Sequence, residues 1–424
     1  MTAGTGTRDG AGRQLFVQLA AIAAAFALGF LLVALFGFDP FEVYGVLWNG
    51  SVGSAENIGW SLQNTTPLIF TGLSVALAFR AGLFNIGAEG QLVAGAFAAG
   101  VVGWAVPKGA ASADLAHHPF WSAHWYPQGA KVLTALGVVW GLRLLWLTFE
   151  ARARVGWGKF VGVMGALVVT WAVFPSVSPG VFWISNILVI PLALVAAALG
   201  GAAWAYIPAW LRAHFGVSEV INTIMFNFLA ALLASWLLTT ATFKEPGAIP
   251  QTHAVAANAQ LKRLAEASQL NFGFVIALFS AGAVGWLLWR TTLGYELRAL
   301  GSNPGAAAAA GIPVERNMIL AMLLSGALAG LGGAEQVLGV HHHFVKDFWT
   351  GLGFTGIAVA LVGKSHPVGV VAAAFLFGAL QNGAVEIDMM TMFPRELILV
   401  LQALIIFLVS SGPMIADLVS RRKK

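Results

Sequence analysis

Residues 351–365 read GLGFTGIAVALVGKS, and the fold turns on what these glycines are for. Gly351, Gly353 and Gly356 spell G-x-G-x-x-G, the dinucleotide fingerprint, while Ala358, Gly363, Lys364 and Ser365 fit a loosened phosphate-loop pattern. Either motif would imply a strand leading into a helix whose N-terminal N–H groups hold a phosphate. The flanks argue against both. The second pattern runs into His366-Pro367, where proline favours a turn between helices. The first opens an apolar segment and has no acidic residue about twenty positions on. Glycine here is better read as allowing close packing in a short, apolar helix.

Working outward, the whole chain supports that reading. Its 424 residues are 58% hydrophobic and only 10% charged, with mean hydropathy +0.80. Soluble domains carry about a quarter charged residues, so this chain cannot cover a water-facing surface and reads as an all-α polytopic membrane protein. The sequence pI of 9.6 does not indicate nucleic acid, because the basic residues lie in short loops with no aromatic-interleaved patch. The absence of cysteine excludes disulfides, Cys-ligated zinc and iron–sulfur clusters.

About twelve apolar segments are expected, near 15–37, 64–79, 87–106, 131–148, 160–176, 184–206, 219–240, 272–289, 316–338, 352–363, 367–384 and 395–411. The first is too long for a signal-peptide core and no cleavage site follows it, so it reads as a retained helix after a short cytoplasmic tail, 1–14. At 352–363 the run is too short to span unaided, so 352–384 is either two spans or a re-entrant hairpin. Alternating from an inner N-terminus puts sixteen of the 23 Lys and Arg inside, among them Arg80, Arg290, Arg298, Arg316 and the basic tail 412–424. Seven fall outside, which supports an N-in, C-in arrangement. The long loop 241–271 is expected to form an extracytoplasmic cap with a helical stretch from Ala257 to Ser268, and 290–316 is the prominent inner loop.

Ionisable and amide groups at membrane depth are functional candidates. One cluster is FRAGLFNIGAEGQLVAG, 79–95, where Asn85, Glu89 and Gln91 sit among glycines. A helix break there would line a translocation pathway or make a tight interhelical turn with Glu89 paired to Arg80 or to backbone. A second is GVSEVINTIMFN, 216–227, whose Glu219, Asn222, Thr223 and Asn227 share one helical face, facing cargo or bonding neighbouring helices. In the inner loop, Tyr295–Leu300 should form a short helix ended by Gly301 and Pro304, followed by an alanine-rich turn up to Gly311. Carrying Glu296 and Arg298, it suits docking to another protein. His341–His343 and the outer His117, His118 and His124 lack ligand spacing, so no metal site is expected. No nucleophile–base arrangement is present in the sequence, so no catalytic residue is assigned.

These stretches resemble a family. FRAGLFNIGAEGQLVAGAFAAG (79–100) looks like the signature of ATP-binding-cassette importer permeases of the branched-chain amino acid, ribose and nucleoside branch, and FNIGAEGQ is closest to the nucleoside-type subunits. In the same order follow GVSEVINTIMFN, GYELRALGSNPGAAAAAGI (294–312), SGALAGLGGAEQVLGV (325–340), the opening stretch through HPVG, and FLFGALQNGA (375–384). The resemblance implies a ten-helix permease core, here within 15–411, with the pair at 131–176 as an inserted hairpin that departs from the family. It implies a multi-pass subunit of a bacterial inner membrane that binds no cofactor itself. ATP and Mg would belong to a cytoplasmic ATPase, a second, often non-identical permease would complete the pathway, and an extracytoplasmic lipoprotein would deliver a nucleoside. The coupling loop would comprise Gly294, Tyr295, Glu296, Leu297, Arg298, Ala299, Gly301, Asn303, Pro304 and Gly311, with Glu296 and Arg298 facing the ATPase. A simple sugar or other small polar solute is the alternative cargo, and a standalone ion-coupled carrier using Glu89 and Glu219 the alternative class.

Overall fold

The computed structural model describes residues 6–105, 179–391, 393–394 and 396–421. The expected hairpin at 131–176 and the outer loop 107–130 lie outside these residues. Thirteen α-helices account for almost all regular structure among the described residues, with isolated β-bridges in place of any sheet. They are α1 Gly6–Leu35, α2 Pro40–Val52, α3 Ala55–Arg80, α4 Ala88–Ala105, α5 Pro179–Phe215, α6 Glu219–Leu237 and α7 Gly273–Arg290. Then come α8 Thr292–Ser302, α9 Pro304–Ala309, α10 Val314–Glu335, α11 Leu352–Val362, α12 Pro367–Met390 and α13 Glu396–Arg421. α10 continues as a π-helical turn, Gln336–His341.

Among the described residues, six stretches are long and apolar enough to cross a membrane: Val17–Leu35, Val189–Phe215, Glu219–Leu237, Gly273–Arg290, Val314–His341 and Pro367–Met390. α3 is long enough but buries Ser61, Gln63, Thr65, Thr66, Thr71 and Ser74 inside the protein. Its threonine hydroxyls bond the helix's own carbonyls, as Thr65 does to Ser61 (2.6 Å) and Thr71 to Pro67 (3.0 Å), whereas Ser61 donates to the Ser51 carbonyl of α2 (2.6 Å). Exposed apolar side chains such as Leu31, Leu232, Trp236 and Phe407 cover the outside, the inverse of a soluble surface.

The interior is built on small residues. Gly326 and Gly330 of α10 meet Ala197 and Gly201 of α5 backbone to backbone, and a methyl group at Gly330 would overlap the Ala197 carbonyl. Gly95 of α4 lies against Gly330, and Gly333 of α10 against the Leu92 carbonyl. In lipid, apolar burial gives no preference between helix and tail, so this close approach is what associates α4, α5 and α10. α11 and α12 pack on the other side of α3, and α1 pairs with α13.

Three features depart from the sequence expectations. α2 is a separate 13-residue helix, started by Pro40 and capped by Asp39, whose carboxylate accepts from the Phe41 N–H at 2.9 Å. The outer loop holds only a 3₁₀ turn, Ala257–Ala259, rather than a helix to Ser268. Its backbone is used elsewhere: Ala256 N–H bonds the Gly103 carbonyl, Leu261 N–H that of Leu338, and Val255 N–H that of His342. Helical backbone also extends beyond the expected ends, starting at Gly6 and running to Arg421.

Candidate functional site

The chain breaks at residues 81–87, between α3 and α4. Gly82, at φ +73°, turns it back, and the irregular segment that follows carries the buried Asn85. Asn85 is fully buried and makes four bonds. Its Nδ2 donates to Gln91 Oε1 (2.8 Å) and to Ser325 Oγ (2.7 Å), and its Oδ1 accepts from Gln91 Nε2 (3.0 Å) and Gly87 N–H (3.1 Å). Ser325 of α10 donates onward to the Ser74 carbonyl of α3 at 2.7 Å. One amide pair therefore ties together α3, α4 and α10.

Asn227 of α6 does the same from the other side. Its Oδ1 accepts from Gly90 N–H (2.8 Å) and its Nδ2 donates to the Ile86 carbonyl (2.9 Å). Thr223 is buried and bonds the Glu219 carbonyl at 2.7 Å, while Asn222 reaches the Pro208 carbonyl at 3.5 Å. Glu219 pairs with Arg212 Nε at 3.0 Å. The structure thus brings Asn85, Glu89, Gln91, Thr223 and Asn227 to one junction and leaves Glu219 and Asn222 on the α5–α6 seam.

Glu89 is not paired with Arg80, as one reading of the sequence had it. Its carboxylate faces the N–H groups of Gly351, Gly353 and Phe354, the first turn of α11, and its Oε2 has no partner. A side chain at Gly353 would overlap the Glu89 backbone, one at Gly356 would overlap Thr71, and Gly351 has φ +85°. The G-x-G-x-x-G signature therefore does bring a helix N-terminus to an anion, and the anion is the chain's own carboxylate. Gly363, Lys364 and Ser365 follow the C-terminal end of α11, where carbonyls rather than N–H groups are free, the wrong end for a phosphate.

The short helix expected at Tyr295–Leu300 forms within α8, Thr292–Ser302, and α9 follows it. Thr291 caps α8 by accepting from Gly294 N–H (3.1 Å), and Asn303 caps α9 by accepting from Ala306 N–H (3.0 Å). Gly294 lies against the Leu287 carbonyl of α7, and Leu297 and Leu300 are buried. Glu296 accepts from Asn317 Nδ2 at 2.8 Å, and Arg298 Nε donates to the Gly294 carbonyl at 3.4 Å. Both side chains are engaged within the chain. The surface left open is Tyr295 together with Gly301, Asn303, Pro304, Ala308, Ala309 and Gly311; Ala299 is half-buried.

Glu335 was not singled out by the sequence. It is buried at the C-terminal end of α10, where it accepts from Asn271 Nδ2 (2.9 Å) and Gln336 Nε2 (2.7 Å). The signal was available in GGAEQ, an acid inside an apolar run. Its partner, 64 positions away, was not. Among the described residues no group of three acidic or histidine side chains has metal-holding geometry.

A multi-pass helical membrane protein with small-residue packing, a polar broken-helix junction inside it and an exposed helix pair at one end is a transport permease in type. The chain belongs to the family of branched-chain amino acid transport system permease components, which matches residues 57–156 and 155–410. It is 33% identical over 413 residues to the guanosine ABC transporter permease protein NupP of Bacillus subtilis, covering 97% of both chains. It is 32% identical to the nucleoside ABC transporter permease protein NupB of Lactococcus lactis, over 94% of this chain and 91% of that one. The glucose ABC transporter permease protein TsgB13 of Haloferax volcanii is 29% identical over 92% of this chain and 86% of its own length. No solved structure matches the chain.

Proposed function

We propose that this permease forms half of the translocation pathway of a nucleoside importer in a bacterial inner membrane. The observation that carries the cargo assignment is the end-to-end likeness to a guanosine permease, at 33% identity. In this reading the chain is not an enzyme and binds neither ATP nor Mg; a cytoplasmic ATPase docks on α8–α9 through Tyr295, Asn303, Pro304 and the flanking glycines. Support comes from the exposure of that surface while the buried Leu297 and Leu300 anchor it. A second permease covers the apolar side of α6, where Ile221, Met225, Phe228 and Trp236 are exposed. An extracytoplasmic lipoprotein delivers cargo to the cap at 241–271. The basic residue distribution supports N-in, C-in topology with about twelve apolar segments, the hairpin at 131–176 being peripheral.

Asn85, Gln91, Thr223 and Asn227 hold the shape of the junction, and Glu89, whose Oε2 is buried without a hydrogen-bond partner, is the ionisable group at it. The test is ATP hydrolysis by the complex reconstituted with its ATPase and lipoprotein. Guanosine or another nucleoside should stimulate it and glucose should not. Stimulation by glucose alone would transfer the assignment to a sugar, the reading that the likeness to TsgB13 favours. Uptake by this chain alone, without ATP, would make it a carrier instead.

A further inference from the structure

We propose that α11 is a charge-clamped strut that carries movement of α8–α9 to the Glu89 junction, with Arg80 and Glu89 as its positioning residues. The two ends of this 11-residue helix are held by opposite charges from one short stretch of chain. At its N-terminus stands the Glu89 carboxylate, facing the N–H groups of Gly351, Gly353 and Phe354. Just past its C-terminus, Arg80 Nε donates to the Ser365 carbonyl (2.9 Å) and Nη2 to that of Lys364 (3.1 Å). Each charge complements the helix end that it meets. Because Arg80 and Glu89 flank the 81–87 break, α11 cannot shift without the break shifting too.

The inner end of the strut is also the seat of α8. Gly301 lies so close to α3 that a side chain there would overlap the Arg80 carbonyl, and Gly82 faces Gly301 in return. The Arg80 guanidinium also lies 5.7 Å over the Trp289 ring at the end of α7, and Trp289 packs on His366 at 4.8 Å. Lys364 and Ser365 hold φ of +52° and +50°, which L residues rarely adopt and which persists only where neighbours over-determine it. Arg80, bonded to both carbonyls, is that neighbour. On its long side α11 meets α3 at small residues, Gly356 against Thr71 and Val359 against Gly72. Its other face carries Phe354, 49% exposed, so displacement of the strut moves this side chain beside Glu89.

The inference rests on the docking of an ATPase to α8–α9, and the test separates the two. The chain has no cysteine, so spin labels can be placed singly. One pair, Asn303→Cys with Phe407→Cys, reports the inner helix pair; a second, Phe354→Cys with Phe407→Cys, reports the strut. In the full complex, trapping the ATPase with ADP and vanadate should shift both distances. Glu89→Gln should keep the first shift and lose the second, with ATP hydrolysed per cargo molecule rising at least tenfold. Arg80→Lys, a single-point donor, should behave the same way and provides a second variant should Glu89→Gln fold poorly. A first shift without a second in the unmodified chain overturns the strut alone, as does a second shift that survives both variants. Absence of the first shift overturns the docking reading and the strut with it.

Discussion

The Asn85–Gln91 pair offers a quantitative check on how the junction is held. Asn85→Ala removes four bonds, two of them shared with Gln91. Interhelical hydrogen bonds in membranes contribute about 0.6 kcal/mol each, since the unfolded chain in lipid also finds partners. Asn85→Ala should therefore cost about 2.4 kcal/mol and Gln91→Ala, which loses only the two shared bonds, about 1.2 kcal/mol. The double variant still loses only four distinct bonds, about 2.4 kcal/mol rather than the additive sum of about 3.6. The coupling of about 1.2 kcal/mol is the quantity of interest. It is measurable by SDS-induced unfolding in mixed micelles followed by tryptophan fluorescence. Asn222→Ala, whose bond to Pro208 is long at 3.5 Å, serves as the control and should change stability by less than about 0.5 kcal/mol. Additivity of the two substitutions to within about 0.3 kcal/mol would refute the reciprocal pair.

Four further outcomes are expected. Gly330→Val, forced against the Ala197 carbonyl, should destabilise the protein by about 1–3 kcal/mol or more and reduce monodisperse yield in detergent; an unchanged elution profile and unfolding midpoint would contradict the close packing. Ala309→Arg, on the exposed side of α9, should abolish co-purification with the ATPase while changing stability by less than about 0.5 kcal/mol. Glu296→Ala should instead lower stability by about 1 kcal/mol by stranding Asn317, and loss of ATPase binding at unchanged stability would place Glu296 in the interface. In the loop 241–271, His253 stacks on Trp104 at 4.8 Å, and burial holds its pKa below the usual imidazole value, with Glu245 opposing and His343 adding to that shift. The unfolded chain then takes the proton first, so stability should be full above about pH 6.5 and fall as the pH drops below it. His253→Phe should flatten thermal stability between pH 7.5 and 5.5; an equal fall in the variant would assign the effect elsewhere.

The parts of this fold legible in the sequence are those set by local period and chain breakers. Runs of apolar residues located α5, α6, α7, α10 and α12, and Gly301 with Pro304 marked the α8–α9 pair. α2 was missed because its 13 residues are too short to register as a span. The beginning of α3 was missed for a different reason. Ser61 and Gln63 are polar and lie ahead of the expected segment 64–79, yet they are buried, the Ser61 hydroxyl donating to the Ser51 carbonyl of α2. Contacts between distant positions were the least legible. Asn85 was recognisable as a buried amide, but nothing local pointed to Ser325, 240 positions on. The same holds for Glu296, which reads as a docking charge until Asn317 is seen beside it.

The glycines at 351–356 show why such motifs mislead and what they nonetheless encode. A G-x-G-x-x-G run requires only that a helix N-terminus be approached closely by something negative and that the first turn be free of side chains. In a nucleotide-binding domain the approaching group is a pyrophosphate. Here it is Glu89, whose backbone lies where a side chain on Gly353 would be. The same local physics is satisfied, but in lipid there is no water to solvate an open N-terminus, so the chain supplies its own anion. That choice has a consequence for transport. An anion covalently tied to α4 cannot diffuse away, which favours α4 and α11 moving together. Rearrangement is then expected on the far side of the junction, at the α6 contacts, where Asn227 holds Gly90 and Ile86 by one side chain.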